Sequence, residues 1–219
     1  NQRFDLVESW VVKKSKGSVA DRHLTLPTFE SRQIIIHEID KPTMVFGTAQ
    51  KNMSLSADIE CEYVSRKSGG GAVFLEPDEV LWVDFVIPRK DPLWCNDIGQ
   101  SSVWLGELWV EAMKEIGVQG TVHHEETRKN KLSSLICFAG LTTGEVTVSG
   151  KKTIGISQRR TREGAWFQCA ALFSWSAKKM VDLLKLEPRK KIIDDLLELA
   201  APIKGNPDEL LSALVKSVI

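Results

Sequence analysis

The sequence predicts an α+β, or mixed α/β, fold and not a doubly wound parallel sheet. Two observations carry this. Short β-branched and aromatic segments separated by turn residues fill the first part of the chain and return after a central helix, while helical periodicity is otherwise confined to the C-terminal end. In order, the strands read QIIIHEI (33–39), TMVFG (43–47), ECEYVSR (60–66), AVFLEP (72–77) and EVLWVDFVIP (79–88), the last alternating around Trp82, Asp84 and Val86. In SSVWLGELWVEAMKEI (101–116), Val103, Leu105, Leu108, Trp109, Ala112 and Ile116 recur near helical spacing. Ser101 or Ser102 can cap its start, and Gly117 follows its end. Beyond it, LSSLICFAG (132–140) leads to a hairpin, EVTVSGKKTIGIS (145–157), turning at Ser149-Gly150, and a turn at Arg162-Glu163-Gly164 opens AWFQCAALFSW. Pro188 then opens one helix and Asn206-Pro207 caps another, with the proline at the first helical position.

Composition limits what such a fold can do. The chain has 219 residues, 42% of them hydrophobic, which is enough for one sizeable core. Lys+Arg and Asp+Glu balance at 29 each, so no global field draws it to nucleic acid or to a membrane surface, and any basic site must be local. Asp5 and Glu8 interrupt the first apolar stretch, and no run approaches the ~18 apolar residues of a membrane helix. The expectation is a soluble, cytoplasmic protein. Cys61, Cys95, Cys137 and Cys169 form no CxxC pair, and His123-His124 has no ligand partner at a metal-binding spacing, so no metal is expected. The cysteines are left with a thiol role or plain burial.

Two glycine-containing segments invite a phosphate-loop reading. GEVTVSGKK (144–152) fails it: five residues separate its glycines where four are needed, Lys152 stands where Ser or Thr should be, and the context is a hairpin. SRKSGGGAVFLEP (65–77) opens no helix, so it is no dinucleotide fingerprint. Three consecutive glycines still cost backbone entropy. They can offer backbone N–H groups and a groove free of side chains to a ligand, or form a bulge with a tight turn.

Taken together, SRKSGGGAVF, ICFAG and GKKTIGISQRR resemble the family that contains lipoate-protein ligase A and the cysteine-dependent octanoyltransferases. Arg66, Ser68, Gly69, Gly70, Gly71, Ala72 and Val73 fall on that family's Arg-Arg-x-Ser/Thr-Gly-Gly-Gly-Ala-Val element. Gly150, Lys152, Gly155, Ser157 and Gln158 fall on its Gly-x-Lys-x-x-Gly-x-(Ala/Ser)-Gln hairpin, and KPTMVFGTAQ (41–50) resembles its Pro-x-x-x-x-Gly-x-x-Gln element. The resemblance implies a biotin/lipoate-protein ligase-like catalytic domain, a largely antiparallel or mixed sheet flanked by helices, over residues 1–186. Residues 187–219 would form a helical extension packed on it.

The resemblance also implies a chemistry. Gly69, Gly70 and Gly71 would line a tunnel for an acyl chain, with Arg66, Ser68, Ala72, Gly155, Ser157 and Gln158 as further substrate-binding residues. Lys152 would polarise the acyl carbonyl, a contribution of roughly 3 kcal/mol for one well-placed donor. Adjacent strand residues face opposite ways, so Lys151 would turn from the site. Cys137, fifteen residues before Lys152, would take the acyl group as a thioester; its attack requires the thiolate, which a nearby ammonium favours. Its alternative is a small buried hydrophobe between Ile136 and Phe138. Cys169 reads as core.

In the transferase reading no cofactor is needed; in an ATP-dependent ligase, ATP and Mg would activate lipoate and no cysteine would be required. Leu75-Glu76 and Gln168-Cys169 stand where ligases of the family usually carry His-Asp and His-Gly, and the C-terminal stretch reads as two short helices where long ligases append a domain. These departures lean towards the transferase. The partners implied are lipoyl carrier domains, such as 2-oxoacid dehydrogenase E2 subunits and the glycine-cleavage carrier, together with an octanoyl or lipoyl donor, and neither nucleic acid nor membrane. Arg159, Arg160 and Arg162 would meet such a domain's acidic surface, hold the nucleotide phosphates in the ligase reading, or remain a solvated turn. Trp94, Trp104 and Trp109 read as core and tunnel wall. A non-catalytic acyl or lipoyl-domain binder is the reading from another class, and a lysine kept at the reacting carbon argues against it.

Overall fold

Strand pairing divides the chain into two sheets. The computed structural model describes residues 9–50, 53, 55–56 and 60–218; the stretch with Asp5 and Glu8 lies outside the described residues. Ten strands occur among them: β1 (Val11–Ser15), β2 (Gln33–His37), β3 (Thr43–Phe46), β4 (Glu62–Ser65), β5 (Val73–Leu75), β6 (Val80–Pro88), β7 (Thr121–Val122), β8 (Val146–Val148), β9 (Lys151–Arg160) and β10 (Gly164–Leu172). The larger sheet has the order β1-β2-β6-β10-β9-β8-β7, antiparallel except for the β1/β2 pair, and the smaller has the order β4-β3-β5, with β3 and β4 parallel. The mixed, largely antiparallel α+β architecture is as the sequence predicts.

The helices are α1 (Val19–Leu24), α2 (Val103–Glu115), α3 (Ala177–Leu183), α4 (Arg189–Leu199) and α5 (Pro207–Lys216). Leu105, Leu108 and Trp109 of α2 and Leu210 and Leu214 of α5 pack on one face of the larger sheet, against Val83, Phe85, Ile154, Ile156 and Phe167. On the other face, Val80, Trp82 and Leu172 meet Val19 of α1 and Val45, Val64, Val73 and Leu75 of the smaller sheet. The central strand β6 is therefore buried on both faces from Val80 to Ile87, where the sequence suggested half-exposed alternation. The space between the two sheets is where the motifs meet.

The C-terminal segment is stitched to the larger sheet. Ala201 N–H donates to the Lys152 carbonyl at 3.0 Å and Ile203 N–H to the Leu172 carbonyl at 2.7 Å. Asn206 caps α5 as read, accepting from Asp208 and Glu209 N–H with Pro207 at the first turn. Ser102 does not cap α2 with its side chain; its hydroxyl donates to the Thr143 carbonyl at 2.9 Å. Four elements were not anticipated, among them β7 with its two residues. α1 and α3 are too short for a helical period to register, and β1 is an edge strand whose VVKKS carries no alternation. No helix among the described residues is long and apolar enough to cross a membrane.

Candidate active site

The glycine run earns its composition from the chain's own backbone. Gly70 has φ +100°, which turns the carbonyls on either side towards one guanidinium, and Arg66 donates to Gly69 O at 2.7 Å and Gly71 O at 3.1 Å. A Cβ on Gly71 would lie 2.6 Å from the Ile136 carbonyl carbon and 2.8 Å from Cys137 N, because this segment pairs through Ala72 with the backbone before Cys137. Ala72 N–H donates to Leu135 O at 2.9 Å, and Cys137 N–H to Ala72 O at 2.8 Å. A Cβ on Gly47 would strike Gly70 O at 1.9 Å. Gly69 alone of the triplet has open space around it. Gln50 completes the frame, accepting from Gly47 N–H and donating to Ser134 O and Leu135 O. All this fixes the approach to a single 3₁₀ turn, Cys137–Ala139.

Lys152 closes that turn from the other side. Its ammonium is 3% exposed and lies 2.7 Å from Glu145 Oε2, 2.8 Å from Cys137 O and 3.0 Å from Gly140 O. These three acceptors match its three N–H donors. Cys137 Sγ is 3.9 Å away and the Phe138 ring 5.2 Å. Glu145, 2% exposed, also accepts from Thr142 N–H at 2.8 Å and Ile156 N–H at 3.1 Å, so the buried charge pair is fully bonded. Pleat alternation alone would put Lys152 on the face of Ile154, in the core. The β8/β9 register steps from Thr147–Lys152 to Val146–Ile154, leaving Thr153 as an extra residue, and this bulge brings Lys152 to the face of Gly155. A Cβ on Gly155 would sit 3.3 Å from Lys152 Cε and 3.6 Å from Cys137 Sγ. Lys151 turns away as read and donates to Leu197 O at the end of α4 at 2.7 Å, lying 3.3 Å from Glu198.

Cys137 and Gly155 open onto a narrow pocket with about 30 Å³ of space for a water-sized sphere. Val73, Leu75, Trp82 and Ala170 give it apolar walls; Arg66, Ser157, Gln168 and His23 bring polar groups. Ser68 reaches Ser157 across the sheets, hydroxyl to hydroxyl at 3.3 Å. Gln158 points the other way, accepting from Ser101 Oγ at 2.7 Å and donating to Ile98 O at 2.8 Å. The tryptophan of the pocket wall is Trp82, while Trp109 lies in the main core and Trp94 stacks against Arg89 and Arg160, at 4.2 and 4.6 Å. Arg160 also donates to Cys95 O at 2.6 Å, so it is not a loose surface charge. Cys169 is fully buried and burial pushes its thiol pKa up, as suits a core residue.

Sequence reasoning missed Glu145, Trp82 and His23. Trp82 is stacked between two imidazoles, His23 at 4.6 Å and His37 at 3.9 Å, and its Nε1–H donates to Asp84 at 2.7 Å. Burial holds His23 well below the usual histidine range, to about 4, against the opposing pull of Asp84. Glu145 was legible in principle as the acidic residue opening the lysine hairpin; His23 came from a helix that left no periodic signal.

Residues 20–197 match the family model described as the lipoyl protein ligase A/B catalytic domain. The chain belongs to this family. The stretch assigned to the lipoyl protein ligase A/B catalytic domain takes in α1, the glycine run, Cys137, the Lys152 hairpin and most of α4. Octanoyltransferase LipM of Carboxydothermus hydrogenoformans is 28% identical over 160 residues, 69% of this chain and 58% of that protein. The chain thus spans little over half the length of this relative. Among solved structures, the bi-partite lipoate protein ligase of Thermoplasma acidophilum, studied with its E2 lipoyl domain, has a TM-score of 0.70 at 16% identity, covering 95% of this chain and 82% of that one. Lipoate-protein ligase A bound with ATP has a TM-score of 0.65 at 15% identity, covering 95% and 83%. At such identities the structural likeness shows the lipoyl protein ligase A/B fold and nothing finer.

Proposed function

We propose that this chain attaches an octanoyl or lipoyl group to a specific lysine of a lipoyl carrier domain, such as those of 2-oxoacid dehydrogenase E2 subunits or the glycine-cleavage carrier, by way of a thioester on Cys137. The observation that carries the reading is the 3.9 Å approach of Cys137 Sγ to the buried Lys152 ammonium at the mouth of a largely apolar pocket. An octanoyltransferase among the relatives supports it.

In the first step the Cys137 thiolate attacks the carbonyl of an acyl thioester on the donor. The new S–C bond forms as the donor's S–C bond breaks, and the donor thiolate leaves and takes up a proton. In the second, the neutral ε-amine of the acceptor lysine attacks the Cys137 thioester, the C–S bond breaks, and an amide and the free thiol result. Lys152 holds the turn that carries Cys137 through its bonds to Cys137 O and Gly140 O, and places positive charge beside the sulfur. An acyl oxygen must displace one of its three acceptors to be bonded by it directly. Glu145 keeps the ammonium in place. Gly69, the unobstructed glycine, Gly155 and Ser157 border the path of the acyl chain, while Arg66, Ser68, Gly70, Gly71 and Ala72 act as the frame. The basic groups around Trp94 suit an acidic carrier surface.

Intact-mass spectrometry tests this with wild type and Cys137→Ala, each mixed with an apo lipoyl domain. One arm supplies an octanoylated carrier and no nucleotide; the other supplies free octanoate or lipoate with ATP and Mg. The expected result is acylation in the first arm, with a hydroxylamine-sensitive enzyme adduct that Cys137→Ala abolishes. Modification that requires ATP and survives Cys137→Ala would overturn the thioester and make the chain a ligase.

A further inference from the structure

The floor of the pocket beside Cys137 is a row of three residues that crosses the larger sheet. Gly155, where a Cβ would sit 3.6 Å from Cys137 Sγ, pairs with Ala170 on β10, and Ala170 pairs with Trp82 on β6. Cross-strand partners share a face, and all three residues line the same pocket, with Val73 and Leu75 of the smaller sheet as the facing wall. Side-chain size therefore steps from a hydrogen to a methyl group to an indole as the row leaves the thiol. Each strand spacing, about 4.8 Å, is the advance of roughly four carbons of an extended chain, so the row covers about 10 Å. An extended octanoyl chain has a similar reach.

The last member of the row is the one least able to move. His23 and His37 stack on the Trp82 ring, with centroids 4.6 and 3.9 Å away. The Trp82 Nε1–H donates to Asp84 at 2.7 Å, and that carboxylate also accepts from Trp166 Nε1–H at 2.8 Å and lies 2.9 Å from His37 Nε2. Asp84 is fully buried, so displacing the indole would break a charge-assisted bond where no water can replace it. The pocket is narrow, and a chain lies in it only by parting its apolar walls. Val73 and Leu75 have aliphatic side chains held by packing alone, and these can give where Trp82 cannot.

We propose that Trp82 is the end stop of the acyl slot, and that the row from Gly155 through Ala170 to Trp82 limits the acyl group on Cys137 to about eight carbons, excluding chains longer by one more strand spacing. This rests on the reading of the pocket as the acyl slot of Cys137.

Isothermal titration with butanoate, octanoate and dodecanoate tests the row one position at a time, in wild type, Trp82→Leu and Ala170→Leu. Wild type is expected to bind octanoate about tenfold or more tightly than either of the others, because the shorter acid forfeits apolar contact and the longer one has nowhere to lie. Trp82→Leu opens the end of the row, and dodecanoate gains about tenfold or more relative to octanoate. Ala170→Leu blocks the row halfway, so the advantage of octanoate over butanoate falls to about one. A general packing defect weakens all three acids together; it does not move the length limit outwards in one variant and inwards in the other. Should Trp82→Leu fail to fold, Ala170→Leu carries the test alone. Equal binding of octanoate and dodecanoate by wild type, or a limit that stays where it was in either folded variant, overturns the proposal and leaves the acyl-slot reading in place. If folded wild type binds none of the acids, the acyl-slot reading itself fails and this inference with it.

Discussion

The Lys152 ammonium and the Glu145 carboxylate meet at 2.7 Å with each side chain only 3% exposed. A buried pair of this kind adds little by existing, because desolvation cancels most of the attraction, but removing one member leaves a charge stranded. Glu145→Ala would strand Lys152 and also the Thr142 and Ile156 N–H groups. We expect it to lower stability by about 3–5 kcal/mol in urea titrations. Glu145→Gln, which keeps the shape and an acceptor, should lose less. A Glu145→Ala protein as stable as wild type would mean that the pair does not hold the turn.

Within the glycine triplet, alanine should be tolerated unequally. Gly71→Ala drives a Cβ into the Ile136–Cys137 backbone and must shift the 3₁₀ turn. A loss of about 1–3 kcal/mol is expected, with acyl transfer falling further because the thiol moves. Gly69→Ala meets nothing within 4 Å and should melt near the wild-type temperature. Thermal melts and transfer assays of the two variants side by side decide this; equal damage would contradict the backbone packing.

His23 sets a pH dependence. Its pKa is lowered from 6.5 to about 4 by burial, so between those values the unfolded chain binds more protons than the folded one. Stability is therefore full above pH 6.5 and declines as pH falls towards 4, by on the order of 3 kcal/mol in total for a shift of this size. The difference in unfolding free energy between wild type and His23→Phe, followed across that window, isolates the contribution. A constant difference would show that the imidazole does not titrate as its burial dictates.

We propose that residues 187–219 belong to the same folding unit as the rest. Leu210 and Leu214 lie in the main core, and Ala201 and Ile203 are bonded to strands β9 and β10. A chain ending at residue 186 should show no cooperative thermal transition. If it melts as wild type does, the segment is an appendage.

The elements legible in the sequence were those with a local signature. The hairpin turn at Ser149-Gly150 shows positive φ at both residues, 51° and 78°, and Asn206-Pro207 caps its helix as composition demands. The three glycine-bearing motifs converge on the turn that carries Cys137. What could not be read were relationships made in space. Glu145 is seven residues from Lys152, yet its role depends on two strands folding back. His23 enters from a helix of six residues, and its meaning lies in Trp82 and Gln168, both remote in sequence. Gln158, read with the binding residues, takes the other face of its strand because the pleat beyond the bulge is regular and gives the pocket face to Ser157.

Thr153 gives this site an arithmetic. The side of the sheet on which Lys152 emerges is decided by whether an odd or even number of pleated residues separates it from Gly155, Thr153 being left out of that count by the bulge, and no property of the lysine enters into it. Taking Thr153 into the regular pleat, with every proposed functional residue intact, would swing Lys152 towards the main core and leave Glu145 facing an empty place. Substitutions can sample the chemistry of this pocket one side chain at a time, but a one-residue slip in how β9 takes up its pleat would silence it whole, so the site depends on its frame of strand positions as much as on any of its residues.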